Sequence, residues 1–369
     1  MPKSVVIISG IFPPDPGGPA KFAREFATWS SRHGVRTNVI AYGTENRSTL
    51  LNADVELHTI SRKDHVFFRY IRMIRAICES EQKVNQIFAV GAFLETYLAS
   101  ILKNFRYVAK VPGDIVWERA RNNKDTSLEI DAFQDSDLPI KYRLFRFMFT
   151  RSLKRATLVI VPSDGLFRLC IRWGIPRHRL RLIRNSIDLL KFSSVKRDSF
   201  RFDVLTVCRL TPWKGVQELI EVCSKLNLNL AIAGDGPERT NLEQLSIKLD
   251  LNAKFFGDIS ELEILELLSI SKIFVLNSYY EGLPHALVEA RAAGLICVAR
   301  DGTGSAEVIH DGEDGYLVGK MRNLTEAIIK AVDEFDSFGP MGRLASQDAH
   351  ARFDRERNFE KISLVLEEQ

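Results

Sequence analysis

In "YEGLPHALVEARAAG" two acids, Glu281 and Glu289, stand eight residues apart. Gly282, Leu283 and Pro284 follow the first acid, and proline suits the opening turn of a helix. Glu281 therefore belongs to a turn and Glu289 lies about one turn into the helix that follows. A carboxylate accepts O–H bonds at two oxygens and needs no metal to do so. Two of them facing a cleft can grip vicinal hydroxyls of a sugar and of a ribose, with backbone N–H groups around Gly282 and Leu283 as further donors.

A second group of residues suits an anion. In "CRLTPWKGV" Arg209 and Lys214 follow a strand-like run and flank a helix start. A guanidinium fork, a mobile ammonium and free amides at a helix N-terminus together make a diphosphate site. A third loop, "AGDGPERTNL", carries Gly234 and Gly236, which let backbone approach a ligand, and Pro237, which can open the next helix. The chain has neither a G-x-G-x-x-G dinucleotide fingerprint nor a G-x-x-x-x-G-K-[ST] loop, which counts against a nicotinamide dehydrogenase and a P-loop ATPase.

Short apolar runs alternating with helical patterns must position these loops. Residues 4–12, 35–43, 55–60, 86–90, 106–110, 157–162 and 179–185 read as strands, with helices near 19–33, 65–80, 93–103 and 163–173 and a long helical stretch before 157. Residues 118–140 read as polar and irregular. A fresh series of strands begins at 202–210 and continues at 228–236, 253–257, 272–277, 295–300 and 315–319, with helices between. Such alternation predicts an α/β fold with two open parallel sheets covered on both faces. The expected divisions are a domain over 1–185, a linker over 186–200, a second domain over 201–345 and a terminal helix within 346–369. Open parallel sheets bind ligands at the carboxyl ends of their strands, so two of them facing across a cleft suit a reaction between two substrates.

The chain has 369 residues, 45% hydrophobic and 27% charged, which excludes a disordered or fibrous class. No run is long enough to cross a membrane, and the apolar start lacks the basic flank of a signal peptide. Five scattered cysteines, with no C-x-x-C pair, suggest reduced thiols in a cytoplasmic setting and no metal. The net charge of +4 hides an asymmetry: residues 1–200 carry 33 Lys+Arg against 19 Asp+Glu, and the remainder carries 18 against 28. The first half is thus suited to an anionic partner.

These motifs, in this order, resemble the retaining glycosyltransferases of family 4, which have the two-domain GT-B fold. The likeness covers nearly the whole chain: "FPPDPGGPAKFAREFA", "GDIVWERAR", "VIVPSDGLFRLCIRWGIPRHRLRLIRNSIDLLKF", "VCRLTPWKGVQELI", "AGDGPER", "YEGLPHALVEARAAG" and "EVIHDGEDGYLV". The resemblance implies that Arg209 and Lys214 bind the donor diphosphate, Glu289 the nucleotide ribose, and Glu281 the transferred sugar, with Gly282, Leu283 and Pro284 lining its pocket. Gly17 and Gly18 would let the first loop close on donor and acceptor, and Glu307 holds a family-like loop position. It further implies a UDP- or GDP-linked sugar as donor, no required cofactor or metal, and a terminal helix that packs back on the N-terminal domain. Many relatives have an active-site histidine where this chain reads "AKVPGDIVWE"; Asp114 is the nearest polar residue there. His285 suits helix capping better than base catalysis.

The acceptor side is read from two basic, aromatic-rich stretches. Residues 62–80 place Arg69, Arg72 and Arg75 among Phe67, Phe68, Ile71, Ile74 and Cys78. Residues 141–157 place Arg143, Arg146, Arg151 and Lys154 among Phe145, Met148 and Phe149. Both fit an anionic membrane surface and a lipid-linked or surface-glycan acceptor, in a peripheral protein at the cytoplasmic face. A small soluble or phosphorylated acceptor, or nucleotide-sugar binding without catalysis, is the competing expectation. No stacking-sheet motif, zinc spacing or recognition helix supports nucleic-acid binding.

Overall fold

The computed structural model describes residues 2–368 except 16, 53–54, 82–83, 194, 196, 198, 303 and 336–338. It divides into two compact units: residues 1–116, 137–183 and 356–369 form the first, and residues 117–136 and 184–355 the second.

The first unit is built on eight strands: β1 (Ser4–Ser9), β2 (Arg36–Gly43), β3 (Arg47–Asn52), β4 (Val55–Ser61), β5 (Gln86–Ala89), β6 (Val108–Lys110), β7 (Leu158–Val161) and β8 (Leu180–Leu182). They lie in the order β3-β4-β2-β1-β5-β6-β7-β8, parallel except for β3, which pairs antiparallel with β4 at the edge. The reading by periodicity missed β3: "RSTLLN" is short, polar and exposed, as an edge strand is. Strands β1 and β7, each flanked on both sides, are buried at every position, which is why they read as unbroken apolar runs.

Helix α1 (Gly18–Arg32) lays Phe22, Phe26 and Trp29 on this sheet. The chain's last helix, α15 (Arg355–Glu367), adds Phe359, Ile362, Val365 and Leu366 to the same core, with the Phe26 and Phe359 rings edge to face at 5.3 Å. The expected single helix over 346–369 is two. Helix α14 (Pro340–Arg352) ends where Phe353 drops fully buried into the second unit's core, and Asp354 pairs with Ile187 before α15 begins.

Helices α2 (Val66–Glu81), α3 (Phe93–Lys103) and α6 (Ile140–Arg155) pack side by side, α2 on α3 and α3 on α6. Only Met73 and Ile77 of α2 are buried, whereas Val66, Phe67, Phe68 and Ile71 are exposed. Arg69 lies over the Tyr42 ring, Arg72 pairs with Asp64 and Arg75 with Glu79. In α6, Phe149 is buried while Ile140, Leu144 and Phe147 are exposed. No helix among the described residues is long and apolar enough to cross a membrane.

The second sheet has six parallel strands: β9 (Phe202–Val207), β10 (Leu230–Ala233), β11 (Ala253–Gly257), β12 (Ser271–Leu276), β13 (Ile296–Arg300) and β14 (Tyr316–Val318), in the order β11-β10-β9-β12-β13-β14. Alternate side chains fill two cores. Leu205, Ala231, Phe274 and Cys297 enter one, against α12 (His285–Ala292). Val204, Ile232, Ile273 and Val298 enter the other, against α9 (Val216–Lys225) and α13 (Leu324–Asp333). The expected linker over 186–200 is largely packed here. Helix α8 (Leu189–Ser193) touches α12, and buried Arg197 donates to the carbonyls of Gly294, Ser271 and Lys272; positions 194, 196 and 198 lie outside the described residues.

Residues 118–140 are not irregular throughout. They hold most of α4 (Ile115–Asn122) and all of α5 (Ile130–Asp135). Although they precede the expected boundary at 185, residues 117–136 group with the second unit, because Trp117 is buried against the Trp213 and Tyr280 rings at 5.8 and 5.0 Å.

Candidate active site

Strand order in the second sheet reverses beside β9. The chain moves from β9 to β10 and β11 on one side, then returns to place β12 on the other. In an open parallel sheet the crevice at such a reversal, outside the carboxyl ends of the two strands, is where a ligand fits. The loop after β9 carries Arg209 and Lys214, and the loop after β12 carries Glu281.

The Lys214 ammonium donates to Oε1 of Glu281, with side chains only 15% and 14% exposed. Burial pulls the Lys214 pKa down, but Glu281, aided by Cys208 and Glu118, outweighs it and holds the amine above the ordinary lysine value. Lys214 therefore stays charged across neutral pH. Arg209 is exposed, and its guanidinium has no hydrogen-bond or ion-pair partner among the described residues.

The two loops are knitted together through the backbone carbonyls of Trp213 and Gly215. The amide of Tyr279 donates to the Trp213 carbonyl at 2.9 Å, and Asn277 donates to the Gly215 carbonyl at 3.0 Å. Gly215 takes φ 63° at the head of α9, where a Cβ would stand 2.5 Å from the Asn277 carbonyl oxygen. Arg300 braces the same corner through Asn277 and Glu218 at 3.0 and 2.6 Å.

Packing also requires glycine at positions 234 and 236. A Cβ on Gly234 would lie 2.0 Å from the Cys208 carbonyl oxygen, and one on Gly236 2.3 Å from that of Leu210. The neighbouring loop fills that space. Gly282, Leu283 and Pro284 form the turn into α12, where Asn185 donates to the Leu283 carbonyl at 3.0 Å and the Gly304 amide donates to the Glu281 carbonyl at 2.9 Å. Glu289 is buried on α12. Glu307 is paired with Arg184 at 2.8 Å.

Helix α12 is pinned by Arg291, a fully buried guanidinium that donates to both oxygens of Asp314 and to Asp348 at 2.8–2.9 Å. Burial alone would raise the Asp314 pKa, but Arg291 and His310 hold it below the ordinary value. His310, Asp314 and Asp348 have the composition of a metal site among the described residues. Arg291 supplies their positive charge, and the cluster fixes the helix that bears Glu289.

In the first unit, Gly17 is exposed with φ 130° and Gly18 begins α1. Asp114 is fully buried at the head of α4, its Oδ1 accepting from the Val116 amide at 3.0 Å, with Arg146 and Cys170 within electrostatic reach.

Spacing alone did not reveal three buried hydroxyls in the strand-end loops of the second unit, Thr211, Ser278 and Ser305, whose Oγ atoms lack partners among the described residues. Isolated hydroxyl residues carry no pattern. The Trp117–Trp213–Tyr280 cluster was also missed, although "PWK" and "YYEG" sit on the two motifs.

Residues 190–337 match the family model described as glycosyl transferases group 1. The putative colanic acid biosynthesis glycosyltransferase WcaL of Escherichia coli K12 is 25% identical over 239 residues, a stretch covering 59% of this chain and 58% of that protein. The N,N'-diacetylbacillosaminyl-diphospho-undecaprenol alpha-1,3-N-acetylgalactosaminyltransferase of Campylobacter jejuni is 27% identical over 292 residues, 68% of this chain and 77% of its own. Sucrose-phosphate synthase from Thermosynechococcus elongatus superposes with a TM-score of 0.81 over 99% of this chain and 98% of its own, at 17% identity. The chain is thus related to the group 1 glycosyltransferases through residues 190–337 and shares the two-domain GT-B fold.

Proposed function

We propose that the protein is a retaining glycosyltransferase of family 4 that moves a sugar from a UDP- or GDP-linked donor to a lipid-linked or surface-polysaccharide acceptor. The observation that carries this reading is the meeting of Lys214 with Glu281 at the strand-order reversal of the second sheet, with Arg209 exposed in the same loop as Lys214. Arg209, Lys214 and the amides at the head of α9 stabilise the departing diphosphate. Glu281 turns its carboxylate to hydroxyls of the transferred sugar, and Glu289 to the ribose. The departing phosphate oxygen takes the acceptor proton, so no protein nucleophile is required. Gly17 and Gly18 shape the first unit's loop toward donor and acceptor, and Asp114 orients a reacting hydroxyl.

The acceptor assignment draws on the relatives, among them an undecaprenol-linked transferase, and on the first unit's surface. Exposed Phe67, Phe68 and Ile71 on α2, and Leu144 and Phe147 on α6, stand beside Arg72, Arg143 and Arg151 and suit an anionic bilayer. Peripheral attachment at the cytoplasmic face follows. Mass spectrometry of reactions with UDP- and GDP-linked sugars, with and without membrane lipid extract, tests the whole reading. A hexose or N-acetylhexosamine added to a lipid-linked species is the expected result. Donor hydrolysis with no lipid product would move the acceptor to a soluble molecule, and no binding of either nucleotide by folded protein would sink the transfer reading.

A further inference from the structure

Residues 121–128 and the loops after β9 and β10 line an open groove of about 690 Å³ to which none of the site residues named above contributes. Its lining includes Arg121, Lys124, Thr126 and Ser127 from that segment, with Pro212 and Glu238 from the loops. The volume is in the range of small-molecule sites, roughly 300–1,000 Å³.

The walls are tied to the candidate active site. Trp117 donates from its indole N–H to the Leu128 carbonyl at 3.0 Å, and Arg121 lies over the same indole at 5.6 Å. That indole packs on Trp213 and Tyr280, the residues preceding Lys214 and Glu281 in sequence. On the other side, the Glu238 amide donates to the Leu210 carbonyl at 3.1 Å, and the Glu238 carboxylate stands 4.0 Å from the Lys124 ammonium.

The chemistry of the lining selects a ligand class. Arg121 and Lys124 are balanced by Asp125 and Glu238, and Thr126 and Ser127 add hydroxyls. A polyanion meets two carboxylates there, whereas an uncharged polyol finds donors and acceptors together. We infer that this groove seats an uncharged saccharide unit of the acceptor, next to the diphosphate loop. The inference rests on the transfer reading above.

Saturation-transfer NMR tests it with methyl glycosides of glucose, galactose, mannose and N-acetylglucosamine as probes. Inorganic pyrophosphate, which has no protons to report saturation and is followed by the broadening of its phosphorus resonance, serves as the anion probe, and UDP and GDP are titrated in parallel. Folded wild-type protein should bind at least one glycoside, about tenfold more weakly in Lys124→Ala and several-fold more weakly in Thr126→Val, with nucleotide affinity unchanged. Three results overturn it: no glycoside signal while a nucleotide binds, equal glycoside binding by wild type and both variants, or a Lys124-dependent signal from pyrophosphate alone. Glycoside binding without affinity for either nucleotide would instead remove the transfer reading and with it the acceptor role.

Discussion

Each unit buries a lysine at the carboxyl end of a sheet strand, and the two have opposite fates. Lys110, the last residue of β6, is 5% exposed, with its ammonium 4.9 Å from the centre of the Phe22 ring. Burial pulls its pKa down to about 7. Lys214, in the loop after β9, is nearly as enclosed, yet its contact with Glu281 keeps it protonated. Desolvation acts on both amines, and at Lys214 the Glu281 carboxylate outweighs it. A charge kept at a strand-order reversal can meet an anionic substrate, whereas burial weakens the charge of Lys110.

Lys214→Ala tests the first half of that contrast and should have the largest effect. Turnover should fall by about 10²–10³-fold, the range for losing one preorganised charge-stabilising donor, in a protein that still folds but melts lower because Glu281 loses its partner. Full turnover in the variant would show that the diphosphate sits elsewhere.

Lys110→Met tests the second half. Because the folded pKa of Lys110 lies below its unfolded value, the unfolded chain binds more protons between about pH 7 and 10.5, and stability rises across that window. The rise is on the order of 3 kcal/mol. Denaturant titrations of wild type and variant at pH 7 and 9.5 should show the methionine protein losing most of this slope, with activity retained. An unchanged slope would mean that Lys110 is not the titrating group.

The fold was more legible than the site for a physical reason. Buried parallel strands such as "SVVIIS" and "LVIV" announce themselves by composition, and the loops between them inherit their place from sheet order. Glu281, Lys214 and Arg209 drew attention because charged residues at strand ends are conspicuous, and α/β alternation told where those ends would be. What escaped depends on packing that no local pattern encodes. Trp117 carries 117–136 into the second unit through contacts with Trp213 and Tyr280, residues about 100 and 160 positions away. That the Cys208 and Leu210 carbonyls leave no room for a Cβ on Gly234 and Gly236 is not visible in sequence either. The cage of Asp314 and Asp348 around Arg291 was likewise invisible, because its members lie 23 and 57 residues from the arginine.

Asp114 carries the smallest expected effect and the sharpest choice, because the structure already gives it one task. Its Oδ1 accepts the Val116 amide at the start of α4, a cap that asparagine supplies about equally well. Asp114→Asn therefore keeps the bond to the Val116 amide while removing the negative charge, which Arg146 also feels. If that charge helps orient a reacting hydroxyl, transfer should drop by about tenfold while nucleotide affinity and thermal midpoint hold steady. Rates of donor hydrolysis measured without acceptor would separate the two steps, since an orienting role toward the acceptor leaves hydrolysis unaltered. Equal transfer by variant and wild type would confine Asp114 to capping α4, and the Lys110–Lys214 contrast would then place the reacting charges in the second unit alone.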